Sequence, residues 1–262
     1  MVAQGDRGLI FPTTNEMEDA DYSKQKGVAD EANWNEFVLT AGGELVAPYI
    51  KRQGVKNADY MFKKEKVIIE LKIIETEFSY SKQTILRMAN IMEKYKIAKF
   101  NQKINNIYKE YFDVLRMPLK RIINKVNRQI KETKAELQLD GWRGITVCVN
   151  DGMRGVPPIL PFSLLNDILA GASYTNTDAL IYQTNHYIEL PDNPYAVLLW
   201  APSYSDAEKD DLPEFVNALG AKWRAFSETK IGPFEFREQR DNLDLSKASV
   251  VSGIYRNRRY IA

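Results

Sequence analysis

Apolar and charged positions are distributed unevenly along the chain, and one stretch stands out: Asn57 to Glu75, NADYMFKKEKVIIELKIIE. A short apolar run opens with Asp59, a charged turn spans Lys63 to Lys66, and VIIELKII follows. Aliphatic, β-branched residues behind a turn signal predict a strand. Side chains alternate along a strand, so Ile68, Glu70, Lys72 and Ile74 share one face, and Val67, Ile69, Leu71 and Ile73 the other. Both faces are mainly apolar, as in an interior strand. Two charges placed there cost several kcal/mol unless something compensates them.

Elsewhere the pattern predicts further elements. Residues 1–26 are polar and acidic and read as a loose arm, and residues 27–262 as one domain. Val28 to Thr40 has helical spacing, with Trp34, Phe37, Val38 and Ala41 on one side. Glu44 to Ile50 reads as a strand with Pro48 near an edge or bulge. Between Lys82 and Lys134 a helical stripe runs through Ile85, Met88, Ile91, Tyr95, Ile104, Ile107, Tyr108, Phe112 and Leu115. Pro118 is expected to break or kink it, starting a second helix through Leu119, Ile122, Val126 and Ile130. From Gly144 strands and helices alternate: the strand GITVCVN, a helix over Pro161–Leu169 starting near Ser163, strands at Asp178–Gln183 and Ala196–Trp200, and a helix over Leu212–Phe226. Such alternation implies an α/β fold with a mixed central sheet flanked by helices, carrying a long helical insertion at about 80–139.

The hairpin register adds a chemical signal. A turn centred between Lys64 and Glu65 pairs residues whose numbers add to the same total, which sets Asp59 opposite Glu70. Their Cβ atoms would then lie roughly 4.5–5.5 Å apart, and like charges so placed repel. A hard divalent cation such as Mg²⁺ converts that repulsion into coordination. Lys72, one step along the same face, can hold or deprotonate an attacking water. This is the inventory for metal-assisted hydrolysis of a phosphodiester. The competing structural reading is a solvated hairpin in which Glu70 and Lys72 merely neutralise each other.

Composition removes other chemistries. With one histidine and one cysteine, His186 and Cys148, a His/Cys zinc site within the chain is excluded. Most Ser-His and Cys-His hydrolases go with it, unless His186 serves; its setting, YQTNHYIELPDN, reads as a turn. Cys148 lies inside ITVCV and reads as a small buried hydrophobe suited to a reducing cytoplasm. No phosphate-cradling glycine motif occurs. The N-terminal stretch lacks the apolar region of a signal peptide, and no apolar run reaches membrane-spanning length, so a cytoplasmic protein away from the membrane is expected. Asp151, in Asn150-Asp151-Gly152, reads as a turn residue.

Charge is lopsided. Between Lys82 and Lys134 there are fourteen Lys or Arg and four Asp or Glu, whereas the whole chain carries only +1. Positive charge concentrated beside a phosphodiester site suits a nucleic-acid backbone, and Lys96, Lys99 and Lys103 are the candidate contacts. A solvated lysine-rich face is the plainer alternative. The same helices can pack on each other, on the sheet or on a second copy of the chain.

Asp59 followed by Glu70-Leu71-Lys72 in an aliphatic strand resembles the core motif of the PD-(D/E)XK nucleases, the restriction-endonuclease-like superfamily. Ala58 stands where the motif has proline. The likeness is close over residues 27–75 and elsewhere concerns element order only. It implies a Mg²⁺-dependent DNA endonuclease of restriction or defence type, with Mn²⁺ able to substitute and a homodimer expected. Asp59 and Glu70 would be metal ligands and Lys72 catalytic, with the Leu71 backbone carbonyl a further ligand. The superfamily often adds an acidic ligand from the preceding helix. Here Glu31 lies about 70° from the centre of the apolar face and Glu36 about 150°, so Glu31 is preferred and Glu36 held in reserve. A glutamate at a helix start is also favoured by the macrodipole alone. The rival functions are a nuclease-like module that binds DNA or protein without cutting, and a helical dimerising protein.

Overall fold

A computed structural model of the chain describes residues 19–96, 104–191, 193, 195–205, 211–237, 243–251, 255–256 and 259–261. In chain order the elements are β1 (Asp19–Ala20), α1 (Glu31–Ala41), β2 (Glu44–Leu45), β3 (Tyr60–Phe62), β4 (Val67–Ile74), α2 (Lys82–Lys96) and α3 (Ile104–Leu137). There follow β5 (Arg143–Asn150), α4 (Ile159–Leu169), β6 (Ala179–Thr184), β7 (Ile188–Glu189), β8 (Ala196–Leu198) and β9 (Trp200–Tyr204). The last are α5 (Leu212–Ile231), β10 (Phe236–Arg237), β11 (Ser249–Val250), β12 (Tyr255–Arg256) and β13 (Arg259–Ile261).

The fold is α/β, and its main sheet is mixed, with strand order β2-β3-β4-β5-β6-β9. Strands β4, β5 and β6 run parallel at its centre, while β3 and β9 lie antiparallel to their neighbours. The apolar run of β4 is buried on both faces, as an interior strand requires. One face, with Val67, Ile69 and Leu71, packs under α1 and α5 through Trp34, Phe37 and Trp223. Trp34 stacks on Trp223 with ring centroids 4.7 Å apart, and its indole N–H donates to Gln183. The other face meets α3: Ile68 clusters with Val126 and Ile130, and Ile74 with Leu115 and Leu119. Helix α3 therefore runs antiparallel to β4.

Several expectations change. The run from Glu44 is a strand only to Leu45; a 3₁₀ turn over Ala47–Tyr49 follows, because Pro48 fixes φ and cannot donate to a ladder. The first helix starts at Glu31 rather than Val28, with Asp30 as its N-cap accepting from the Asn33 N–H at 2.8 Å. Pro118 does not end a helix but sits inside α3. Its missing N–H costs one helical bond, yet Leu115 and Leu119 on either side are buried and hold the turn to the sheet. The helix expected over Pro161–Leu169 begins at Ile159, behind the Pro157-Pro158 pair. The run from Ala196 splits at Leu199 between two sheets, β8 joining β13 and β7, and β9 forming an edge beside β6. Pro202 is tolerated in β9 because an edge strand has one unpaired side.

The second sheet, in order β10-β13-β8-β7-β11, is built from short pieces with little period of their own. Residues 1–18 of the expected arm lie outside the described residues; of the remainder, Tyr22 is buried against Tyr187, while Lys24, Gln25 and Lys26 are exposed. No helix among the described residues is long and apolar enough to cross a membrane.

His186 lies in the connection between β6 and β7, as its setting suggested, and it is buried there. It bridges to Lys26, is 1% exposed, and neither ring nitrogen has a hydrogen-bond partner. Burial, with the Arg154 charge nearby, lowers its pKa from 6.5 to about 4. The unfolded chain thus binds a proton that the folded chain refuses between those values. Stability is expected to fall as pH drops below 6.5, by about 2 kcal/mol at pH 5. Melting curves of the wild type and His186→Gln at pH 7 and pH 5 check this: the variant should lose most of that pH dependence.

Candidate active site

Strands β3 and β4 pair as the turn predicted: Tyr60 with Ile69, Met61 with Ile68 and Phe62 with Val67. At Asp59 the ladder slips. Its N–H donates to the Ile69 carbonyl at 3.2 Å, one residue short of the partner that regular pairing would give. Asp59 therefore does not lie flat opposite Glu70. Its Oδ2 instead accepts the Leu71 N–H at 2.8 Å, across the gap where β3 has ended. Within a strand a residue's N–H and C=O point to the same side, so the Leu71 carbonyl faces this gap as well.

Glu70 is fully buried. One carboxylate oxygen, Oε1, accepts from the Lys72 ammonium, and the other, Oε2, is buried with no donor. Burial first, and then the Asp59 charge, push Glu70 up to about 8, against the pull of Lys72. Asp59 also lies above the usual carboxylate range, raised by burial and by Glu31 and held back by the Leu71 N–H and Lys72. The two acids thus lie close together: Asp59 raises the cost of ionising Glu70, while a protonated Glu70 eases the ionisation of Asp59, and the Lys72 ammonium favours the charged form of both. On the adjacent strand, Thr146 pairs with Glu70 and Cys148 with Lys72. Burial drives the Cys148 thiol up to about 12, which leaves it inert at neutral pH.

Of the two acids on α1, Glu31 is the one whose charge reaches Asp59. It stands exposed at the helix start, and its charge adds to the burial that raises Asp59 and Tyr60. Glu36 turns toward α5, where Lys230 holds both its oxygens at 2.7 and 2.8 Å. The start of α1 is fixed from the far side: Asn185, just past β6, accepts the Ala29 N–H through its side chain and the Gly27 N–H through its backbone, both at 2.8 Å. Glu31 does not close a cluster, however. Among the described residues no three carboxylate, imidazole or thiol groups converge on one point. Lys99 and Lys103 lie outside the described residues, as does the side chain of Lys96 at the end of α2.

The spacing of charges did not point to the residues that hold Asp59 in place. The segment before it is fastened to α3 by side chains that meet its backbone. Glu136 accepts the Arg52 N–H (3.3 Å), Glu132 the Lys56 N–H (3.0 Å) and Thr133 the Ala58 N–H (2.7 Å), while Gln129 donates to the Asn57 carbonyl (2.8 Å). Gln129 and Thr133 are buried polar residues in an apolar helical stripe. That interruption, four residues apart on the covered face, was the available signal.

The chain matches no protein-family model, no curated protein and no solved structure.

Proposed function

We propose that the chain is a Mg²⁺-dependent nuclease that hydrolyses phosphodiester bonds in DNA, with a restriction-endonuclease-like core of PD-(D/E)XK type. The observation that carries this reading is the Glu70 oxygen buried without a donor beside the Asp59 carboxyl, with Lys72 on the same carboxylate. Two carboxyls brought together at a buried point need a proton or a cation to offset their repulsion, and a hard cation fits there in place of the proton. Asp59, Glu70 and the Leu71 carbonyl are the groups that would hold the ion, with Glu31 at the margin. Bound there, Mg²⁺ would supply Lewis-acid polarisation of a phosphoryl oxygen and lower the pKa of a water. Lys72 Nζ, part-exposed at the cleft, orients the attacking water, and Asp59 is positioned by the Leu71 N–H. By analogy with the superfamily, the setting is restriction or another defence role in the cytoplasm.

Helix α2 favours a second reading, or an added property. Ile85, Leu86 and Met92 are each about half exposed, an apolar surface that suits association with a second copy. Incubating the purified chain with supercoiled plasmid and Mg²⁺ tests the proposal. Nicked or linear product that disappears with chelator is expected, and Mn²⁺ should restore it. No cutting and no nucleic-acid affinity, together with sedimentation that depends on concentration, would leave the dimerising reading instead.

A further inference from the structure

Helix α3 covers Glu70, and its outer surface is cationic. From Val114 to Lys131 the sequence holds Arg116, Lys120, Arg121, Lys125, Arg128 and Lys131 and no acid. Arg116 is paired with Asp167 at 2.6 Å, and Arg128 with Glu132 at 3.7 Å. Among the described residues the other four are exposed and make no ion pair. Like charges one turn apart, as Arg121 and Lys125 are, destabilise a helix. Such a run is better matched to a polyanion than to solvent.

The two flanks of α3 differ. On one, Asn124 and Asn127 bond to the loop before β6, accepting from Tyr174 and Asn176 and donating to Ser173. Lys120 and Lys131 lie toward this flank at 3.6 residues per turn. On the other, Gln129 bonds to Asn57, two residues before Asp59. Lys125 stands one turn before Gln129, and Arg121 one turn further, so both continue that flank. Because α3 is antiparallel to β4, this direction follows β4 from Ile68 past Glu70 and Lys72 to Ile74. Arg121 and Lys125 therefore edge the side of the cleft on which Asp59 sits.

We propose that Arg121 and Lys125 grip the phosphate backbone of a DNA strand laid along α3 toward Asp59 and Glu70, an inference that rests on the nuclease reading. The evenly spaced cations match a linear chain of phosphates, and each neutralised phosphate releases counterions.

The test is binding of a fluorescent DNA duplex to the metal-free full chain across a range of NaCl concentrations. Arg121→Gln with Lys125→Gln should weaken binding and flatten the log–log salt slope by about two units, at about 0.9 per lost contact. Lys120→Gln with Lys131→Gln, on the opposite flank, should leave the slope as in the wild type. Arg121→Lys should retain it. A wild type that binds DNA with a slope unchanged by the first pair, or flattened equally by both pairs, would overturn this inference and leave the nuclease reading standing. A wild type with no salt-dependent DNA binding, or one that binds anionic vesicles instead, would remove both.

Discussion

Replacing Lys72 by methionine is expected to lower DNA cleavage at least about a hundredfold while the metal-free protein stays folded at neutral pH. Breaking a buried ion pair usually costs about 3–5 kcal/mol, because one charge is left without a partner. Here the surviving partner has an escape. Glu70 already sits up at about 8 with Lys72 beside it, so without Lys72 it keeps its proton and is neutral at pH 7. The melting temperature at neutral pH should then fall by only a few degrees, and more steeply in alkali. Asp59→Asn is the companion variant. Asparagine keeps an acceptor for the Leu71 N–H and removes the charge facing Glu70. Cleavage should drop by a similar factor, while apo stability stays level or rises by about 0.2–1 kcal/mol. Plasmid cleavage and thermal melting of both proteins decide the matter: wild-type turnover in either one would sink the catalytic assignment.

Uptake of Mg²⁺ is expected to depend strongly on pH, because the ion and a proton compete for Glu70. The folded-state pKa lies above the ordinary 4.5, at about 8. Glu70 therefore favours the folded state in acid, a contribution complete below 4.5 and lost as pH rises through 8. Coordination needs the carboxylate, so binding below pH 8 must expel a proton. Affinity should climb about tenfold per pH unit from pH 6 to 8 and level off above. Titration calorimetry in two buffers of different protonation heat counts the protons, and about one should be released at pH 7. Glu70→Gln should abolish the pH dependence along with most of the affinity. An affinity that does not change with pH in the wild type would mean that the ion binds somewhere other than Glu70.

The hairpin was legible in the sequence because its information is local. The charged turn at Lys63–Lys66, through its centre between Lys64 and Glu65, fixes the Tyr60–Ile69 register without outside help. The slip at Asp59 was not legible, since it depends on β3 ending there and on a side chain turning to a backbone N–H. The choice between Glu31 and Glu36 was half legible. Helix angle separated them, but Lys230, which occupies Glu36, lies 194 positions away in the chain. The second sheet was missed because its strands of two or three residues carry no period long enough to read. The cover over Glu70 was hidden for another reason: helical spacing shows that α3 has a buried face, but not what lies beneath it.

The four side-chain grips between α3 and residues 52–58 change what the helix is. Measured along the chain it interrupts β4 and β5, which are direct neighbours in the sheet, and it looks like an excursion that a short loop could replace. Trimming it would strip the roof from Ile68 and Ile74, hydrate Glu70, and unfasten the backbone that delivers Asp59. The helix and the cleft are one inheritable unit: neither can be transplanted onto another scaffold, or pruned in this one, without the other.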